Sequence, residues 1–268
     1  MPKTPASTPT FTESFLRVTK RPALKNPLLL IGLPGVGFVS KLAVDHLVRE
    51  KGAERIATLY SPHFPNQVLS MKSGRLRLFS IGFYVKRFKK RDVLFMRGDL
   101  QPLTVEGQFE VSAKALDFAR QLGCIETIAM AGYATQGKKD KPKIFASATN
   151  REFFKKITAL GAQSSEQVVP IVGMAGLVPA LAKLYGMKGC CLLVETQGTA
   201  MDVTGAKALL ELISKIVGEK FSYKKLEERV SKVEKMFKKM EGQGQPMPAV
   251  QPPGMPEAVE KDVLRYIR

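Results

Sequence analysis

The run Pro27-Leu28-Leu29-Leu30-Ile31-Gly32-Leu33-Pro34-Gly35-Val36-Gly37-Phe38 decides the reading of this chain. Leu28 to Ile31 is an unbroken aliphatic stretch, the pattern of a strand buried on both faces. The glycines after it make a tight turn, and Phe38 to Lys51 then takes helical spacing, with Gly52 as its stop. Strand, glycine turn and helix form the first unit of an α/β fold.

Moving outward, the same alternation continues. Strands are expected at Arg55 to Tyr60, Leu76 to Val85, Asp92 to Arg97, Ile125 to Ala131 and Gly189 to Val194. Helices are expected at Gln108 to Leu122 and Arg151 to Leu160, each followed by a glycine stop. A further helix runs from a cap at Asp202 to Val217. These elements assemble into one α/β core over residues 11–220. Residues 1–10, with three Pro and four Ser/Thr, read as a disordered tail.

The end of the chain changes character. Residues 221–241 read as a basic helix with a heptad seam at Leu226, Val230, Val233, Phe237 and Met240. Residues 242–256 hold five Pro, three Gly and three Gln without a charge, which is linker composition. Residues 257–268 form a tip that ends in Val263, Leu264, Arg265, Tyr266, Ile267 and Arg268. Ordinary frayed termini are polar, so this tip either packs back on its own body or is a recognition segment on a tether; the second is preferred, with Leu264, Tyr266, Ile267 and Arg268 as its contact residues.

The whole chain has 268 residues and a formal net charge of +18, from 42 Lys+Arg against 24 Asp+Glu. That length is ample for a buried core, and the charge suits acidic partners. Three Cys and two His exclude a disulfide framework and a Cys/His zinc site. Cys190 and Cys191 lie in an apolar strand and read as reduced and buried. The uncharged stretch from Ile171 to Ala182 is too short to span a bilayer, and Met1 to Pro5 carries no apolar signal core. A cytoplasmic location without membrane contact is expected.

Chemistry could reside where the strands end. Gly32, Gly35 and Gly37 stand as Gly-x-x-Gly-x-Gly, which matches neither the dinucleotide fingerprint nor a phosphate loop. If the sheet is largely parallel, Asp99, Glu195 and Asp202 gather near that turn, at the edge where open α/β sheets take ligands. A phosphate- or nucleotide-binding enzyme is one reading. In the other, each acid caps a helix or accepts loop hydrogen bonds, and no metal or cofactor is needed. The second is preferred, because no nucleophile–base pair is visible. The basic runs Lys86-Arg87-Phe88-Lys89-Lys90-Arg91 and Lys138 to Lys143 read as solvated loops rather than a nucleic-acid surface, since no module signature accompanies them.

Taken in order, the glycine turn, Lys41-Leu42-Ala43-Val44-Asp45-His46-Leu47, Ser61-Pro62 with Pro65, Arg91-Asp92, Gly98-Asp99-Leu100-Gln101-Pro102, Gly132-Tyr133, Ala146 to Asn150, Gly173 with Gly176-Leu177, Gly186 with Gly189, and Leu192-Leu193-Val194-Glu195-Thr196 resemble the proteasome assembly chaperone 2 family in its archaeal form. The resemblance covers about Pro27 to Leu212. It implies a three-layer α/β fold like that of the nucleoside phosphorylases, but without established catalysis. It also implies self-association into a homo-oligomer and binding to proteasome α-subunits. Some archaeal relatives are similar in sending a C-terminal segment into pockets between α-subunits. Here Tyr266 stands third from the end, where the activator pattern has a penultimate Tyr.

Overall fold

The computed structural model describes residues 11–137, 139–165, 170–198 and 201–228. A short strand, Phe15–Val18 (β1), opens the fold, followed by Leu28–Gly32 (β2) and the helix Val39–Glu50 (α1). Glu54–Tyr60 (β3) leads to a small exposed hairpin, Val68–Ser70 (β4) and Leu76–Leu78 (β5), and then to Ile81–Arg87 (β6) and Asp92–Gly98 (β7). Val105–Gln121 (α2), Glu126–Ala134 (β8), Ile144–Ala148 (β9), Arg151–Thr158 (α3) and Gln163–Ser164 (β10) come next. Met174–Ala182 (α4), Lys188–Thr196 (β11) and Val203–Val217 (α5) complete the core.

Nine strands form one mixed sheet in the order β1-β3-β6-β7-β2-β8-β11-β9-β10. The central strands β7, β2, β8 and β11 run parallel, while β1, β3 and β6 on one flank and β9 on the other join antiparallel. β2 lies at the middle and all its residues are buried. Its side chains divide by the strand period of two. Leu28 and Leu30 enter a core built with α1, α3 and α5, whereas Leu29 and Ile31 enter a second core built with α2 and α4. The molecule is thus a helix–sheet–helix sandwich, and the unbroken apolar run is explained by burial on both faces.

One expectation needs correction. Leu76 to Val85 is two strands rather than one. β5 pairs only with β4, and the chain breaks at Ser80, where the backbone exchanges hydrogen bonds with Asp99. The sheet is mixed: β6 joins β7 as an antiparallel hairpin, β9 joins β11 antiparallel, and β10 pairs parallel to β9 at the far edge. Helix α4 is not among the expected elements; it lies in the stretch Ile171 to Ala182 despite Pro179 and Gly176, with Gly173 at its start.

Beyond α5 the chain stays on the core. Phe221 and Leu226 are buried in the α1/α5 core, and Lys224 to Glu228 is helical. The buried His46 of α1 holds this segment, with Nε2 2.6 Å from the Ser222 carbonyl and 2.9 Å from the Glu50 carboxylate. The rest of the expected basic helix, the 242–256 linker, the 257–268 tip and the 1–10 tail lie outside the described residues.

Candidate functional site

The C-terminal ends of β7, β2, β8 and β11 meet beneath the glycine turn. Leu33 is buried after β2 and its carbonyl accepts from Ser40 Oγ at 2.6 Å. Gly37 and Phe38 both take left-handed backbone, φ +65° and +52°, which reverses the chain into α1. A side chain at Gly37 would be strained and would lie 2.6 Å from Thr196 Oγ1, so glycine is required there. A Cβ on Gly132 would likewise collide with the Val36 carbonyl. The turn therefore lies directly on the ends of β8 and β11.

Gln101 ties this arrangement together. Its Nε2 donates to the Pro34 carbonyl at 2.7 Å, and its Oε1 accepts from the Met174 amide at the start of α4 at 2.9 Å. One amide side chain thus joins the loops after β7 and β2 to the helix before β11. Gln101→Leu leaves both partners unsatisfied and is expected to cost about 1–3 kcal/mol. A urea titration in which Gln101→Leu unfolds like the parent would show that the strap is idle.

Each acid expected near the turn has a local partner. Asp99 pairs with Arg77, whose Nη2 lies 3.2 Å from Oδ1, and also accepts from the Ser80 amide at 3.1 Å. Glu195 accepts from the Lys143 amide at 2.8 Å across the β9 end. Asp202 caps α5, accepting from the Gly205 amide at 2.8 Å, while its own amide donates to the Gly37 carbonyl at 2.9 Å. Gly32 is packed against Val44 of α1, while Gly35 has open space around it. The turn brings Gly37 and Asp202 together, whereas Gly32 faces Val44, Asp99 pairs with Arg77 and Glu195 accepts from the Lys143 amide. Among the described residues, no three His, Cys, Asp or Glu side chains cluster as a metal site.

Beneath the turn lies a group that sequence reading did not single out as a site. Lys41 and Asp45 are both 1% exposed, one helical turn apart, with Nζ 3.4 Å from Oδ2. Lys41 also donates to the Gly98 carbonyl at 2.9 Å. Arg97 of β7 pairs with Asp45 through Nε and reaches the Tyr84 hydroxyl at 3.4 Å. Burial alone would raise the Asp45 carboxyl, but Lys41 and Arg97 outweigh it and hold the group below its ordinary range. Burial pushes the Lys41 ammonium down, against the support of Asp45. The cluster welds the first turns of α1 to the end of β7. Every residue from Val39 to Val48 is buried, so α1 has no wet face on which such a pair could stay solvated.

The rim around the turn is unusually apolar for a loop surface. Val36, Leu103, Val105, Phe109 and Val172 are exposed there, Val172 by 88%, and the nearby hairpin exposes Val68, Leu76 and Leu78. His63 braces this rim, with Nδ1 2.8 Å from Thr104 Oγ1 and Nε2 3.1 Å from Glu110 Oε2. Glu110 in turn accepts from the Ser14 amide and hydroxyl at 2.6 and 3.0 Å. The cysteines take no part: all three are buried and free, and burial pushes each thiol up to about 12.

A mixed sheet whose parallel centre is topped by a self-packed glycine turn defines an α/β class with an exposed apolar rim. Residues 29–241 match the PAC2 family, and the chain belongs to it. An uncharacterized protein of Methanocaldococcus jannaschii is 31% identical over 217 residues, 81% of this chain and 84% of that one. The crystal structure of Pyrococcus furiosus PbaB, an archaeal proteasome activator, superimposes with a TM-score of 0.77 at 35% identity, covering 85% of this chain and 99% of PbaB. Pyrococcus furiosus PbaA, an archaeal homolog of proteasome-assembly chaperone, shares the fold with a TM-score of 0.70 at 24% identity over 86% of this chain and 97% of PbaA.

Proposed function

We propose that this chain is a cytoplasmic, homo-oligomeric adaptor or assembly chaperone that binds proteasome α-subunits and acts without catalysis. The observation that carries the reading is its likeness to the archaeal proteasome activator PbaB over nearly the whole of that chain. The apolar rim supports it, since exposed aliphatic and aromatic groups of this kind suit protein docking. The crevice reading has less support, because Asp99, Glu195, Asp202 and the turn's carbonyls are engaged by the chain itself. Among the described residues no helix is long and apolar enough to cross a membrane.

In this reading Leu264, Tyr266, Ile267 and Arg268 engage a groove of the partner. Loss of such an aromatic anchor typically costs about 2 kcal/mol or more. Deleting residues 263–268 is therefore expected to weaken binding to purified 20S cores by roughly 30-fold, with an unchanged melting temperature. If the deletion instead lowers the melting temperature or changes the oligomer mass while core binding survives, the tip serves the protein's own assembly. Failure of the full chain to retain any proteasome subunit at physiological salt would overturn the function. A thermal upshift with millimolar magnesium nucleotide would favour the crevice instead.

A further inference from the structure

The opposite edge of the sheet from the glycine turn carries a different surface. The hairpin between β6 and β7 reads Lys86-Arg87-Phe88-Lys89-Lys90-Arg91, five basic residues in six. It packs against the segment that leaves α5. Phe88 and Phe221 meet with ring centroids 6.2 Å apart, and the Lys51 ammonium lies 5.2 Å from the Phe221 ring centre. Lys51 Nζ also donates to the Lys220 carbonyl at 3.1 Å, and the Lys90 side chain lies over Gly218. These contacts gather Lys51, Lys89, Lys90 and Lys220 into one corner, with Lys224 and Lys225 following at the next helical turn. Lys89, Lys90, Lys220, Lys224 and Lys225 are exposed, and among the described residues no carboxylate lies in ion-pair distance of any of them.

We infer that this corner is a docking surface for a carboxylate-rich face of a protein partner. Uncompensated ammonium groups held close together repel one another, and a surface that keeps them gains most from an opposing cluster of negative charge. Phosphate polymers are the other class that such a surface could take, and three features favour protein. The aromatic residues of the corner are packed on each other, so no ring is free to stack on a base. Its unpartnered outward cations are lysines, the exposed Arg87 donating to the Ala23 carbonyl at 3.2 Å, whereas fork-like recognition of phosphate and base edges favours arginine. Glu50 and Glu219 lie within the corner, Glu219 accepting from the Lys89 amide at 3.4 Å. A mixed pattern of this kind suits a mixed protein face better than a continuous phosphate backbone.

The test uses the full chain and two probes, fluorescein-labelled poly-L-glutamate and a labelled RNA duplex of equal charge number. The triple Lys89→Glu, Lys90→Glu, Lys220→Glu is compared with Lys139→Glu, Lys141→Glu, Lys143→Glu on the opposite edge, which removes the same charge. At about 0.1 M salt, where screening leaves only neighbouring charges coupled, the corner triple is expected to bind poly-L-glutamate about tenfold more weakly. The matched triple should stay within about twofold of the parent. The neutral triple Lys89→Gln, Lys90→Gln, Lys220→Gln should fall between parent and reversal, which keeps the result readable if the reversal disturbs folding. Equal losses in both reversed triples would make the effect a matter of net charge alone and overturn the assignment. Tighter binding of the RNA duplex than of poly-L-glutamate would overturn it in favour of nucleic acid.

Discussion

Asp45→Asn is expected to lower the unfolding free energy by about 3–5 kcal/mol, because it leaves buried charge without its partner. Lys41 is 1% exposed and Arg97 leans on the same carboxylate, so no water replaces what is lost. For a domain of this size the melting temperature falls by roughly 10 °C or more. The double change Lys41→Met with Asp45→Leu should recover much of that loss, since an apolar pair of similar volume tolerates this site better than a single charge. The pH dependence gives a second reading. The Asp45 carboxyl sits below its ordinary range in the folded protein. Its stabilisation is therefore fully present above about pH 4, the range in which an unfolded Asp titrates, and is lost as pH falls through the depressed folded value. The gap between parent and Asp45→Asn should accordingly shrink in acid. A gap as wide at pH 3 as at pH 7, measured by guanidinium titration, would show that charge pairing is not what the substitution removes.

Gly189→Ala is expected to destabilise the fold by about 3 kcal/mol, the upper range for overpacking a tight core. A Cβ there would strike the carbonyl of Pro179, which is backbone and cannot swing aside as a side chain could. Gly189 also exchanges hydrogen bonds with Thr149, its amide to Oγ1 at 2.9 Å and its carbonyl from the Thr149 amide at 2.9 Å, so β11 cannot shift to make room. Gly35→Ala is the matching control. Gly35 has extended backbone, and nothing lies within 4 Å of the point a Cβ would occupy, so alanine there should unfold at the same denaturant concentration as the parent. If Gly189→Ala and Gly35→Ala melt alike, helix α4 is not pressed on β11 as described.

The parts of the fold that could be read from the chain are those whose residues carry their own explanation. Leu28 to Ile31 announces burial on both faces, and Asp202 and Gly218 mark the ends of α5. The elements that escaped are those defined by neighbours. β1 is a four-residue edge strand paired to β3, and β9 is Ile-Phe-Ala-Ser-Ala behind a lysine-rich loop, so neither has a strong period of its own. Helix α4 contains Pro179 and Gly176, which argue locally against helix, and it is held in place by packing on β8 and β11. The site divides in the same way. The capping role of Asp202 follows from its place before an apolar helical period. Gln101 as a strap could not be found, because its two partners lie 67 and 73 residues away in sequence and offer only backbone atoms. Lys41 and Asp45 gave no local signal of burial, because what removes them from water is the meeting of α1 with Arg97 and Gly98 at the end of β7, more than 50 residues away in sequence.

The position of β2 at the centre of the sheet has a consequence for how the protein is made. Its two hydrogen-bonding neighbours, β7 and β8, begin at Asp92 and Glu126, long after β2 has ended at Gly32. At translation rates of about 5–20 residues per second the aliphatic run waits roughly 3–12 s for its first neighbour and longer for its second. During that interval Leu28 to Ile31 has apolar side chains on both faces and unpaired backbone groups on both edges, the features of an aggregation-prone segment. The sequence around it supplies gatekeepers, with Lys20, Arg21 and Lys25 ahead of the run and Pro27 and Pro34 flanking it. Part of the positive charge on this chain therefore guards the nascent strand before any folded surface exists to use it.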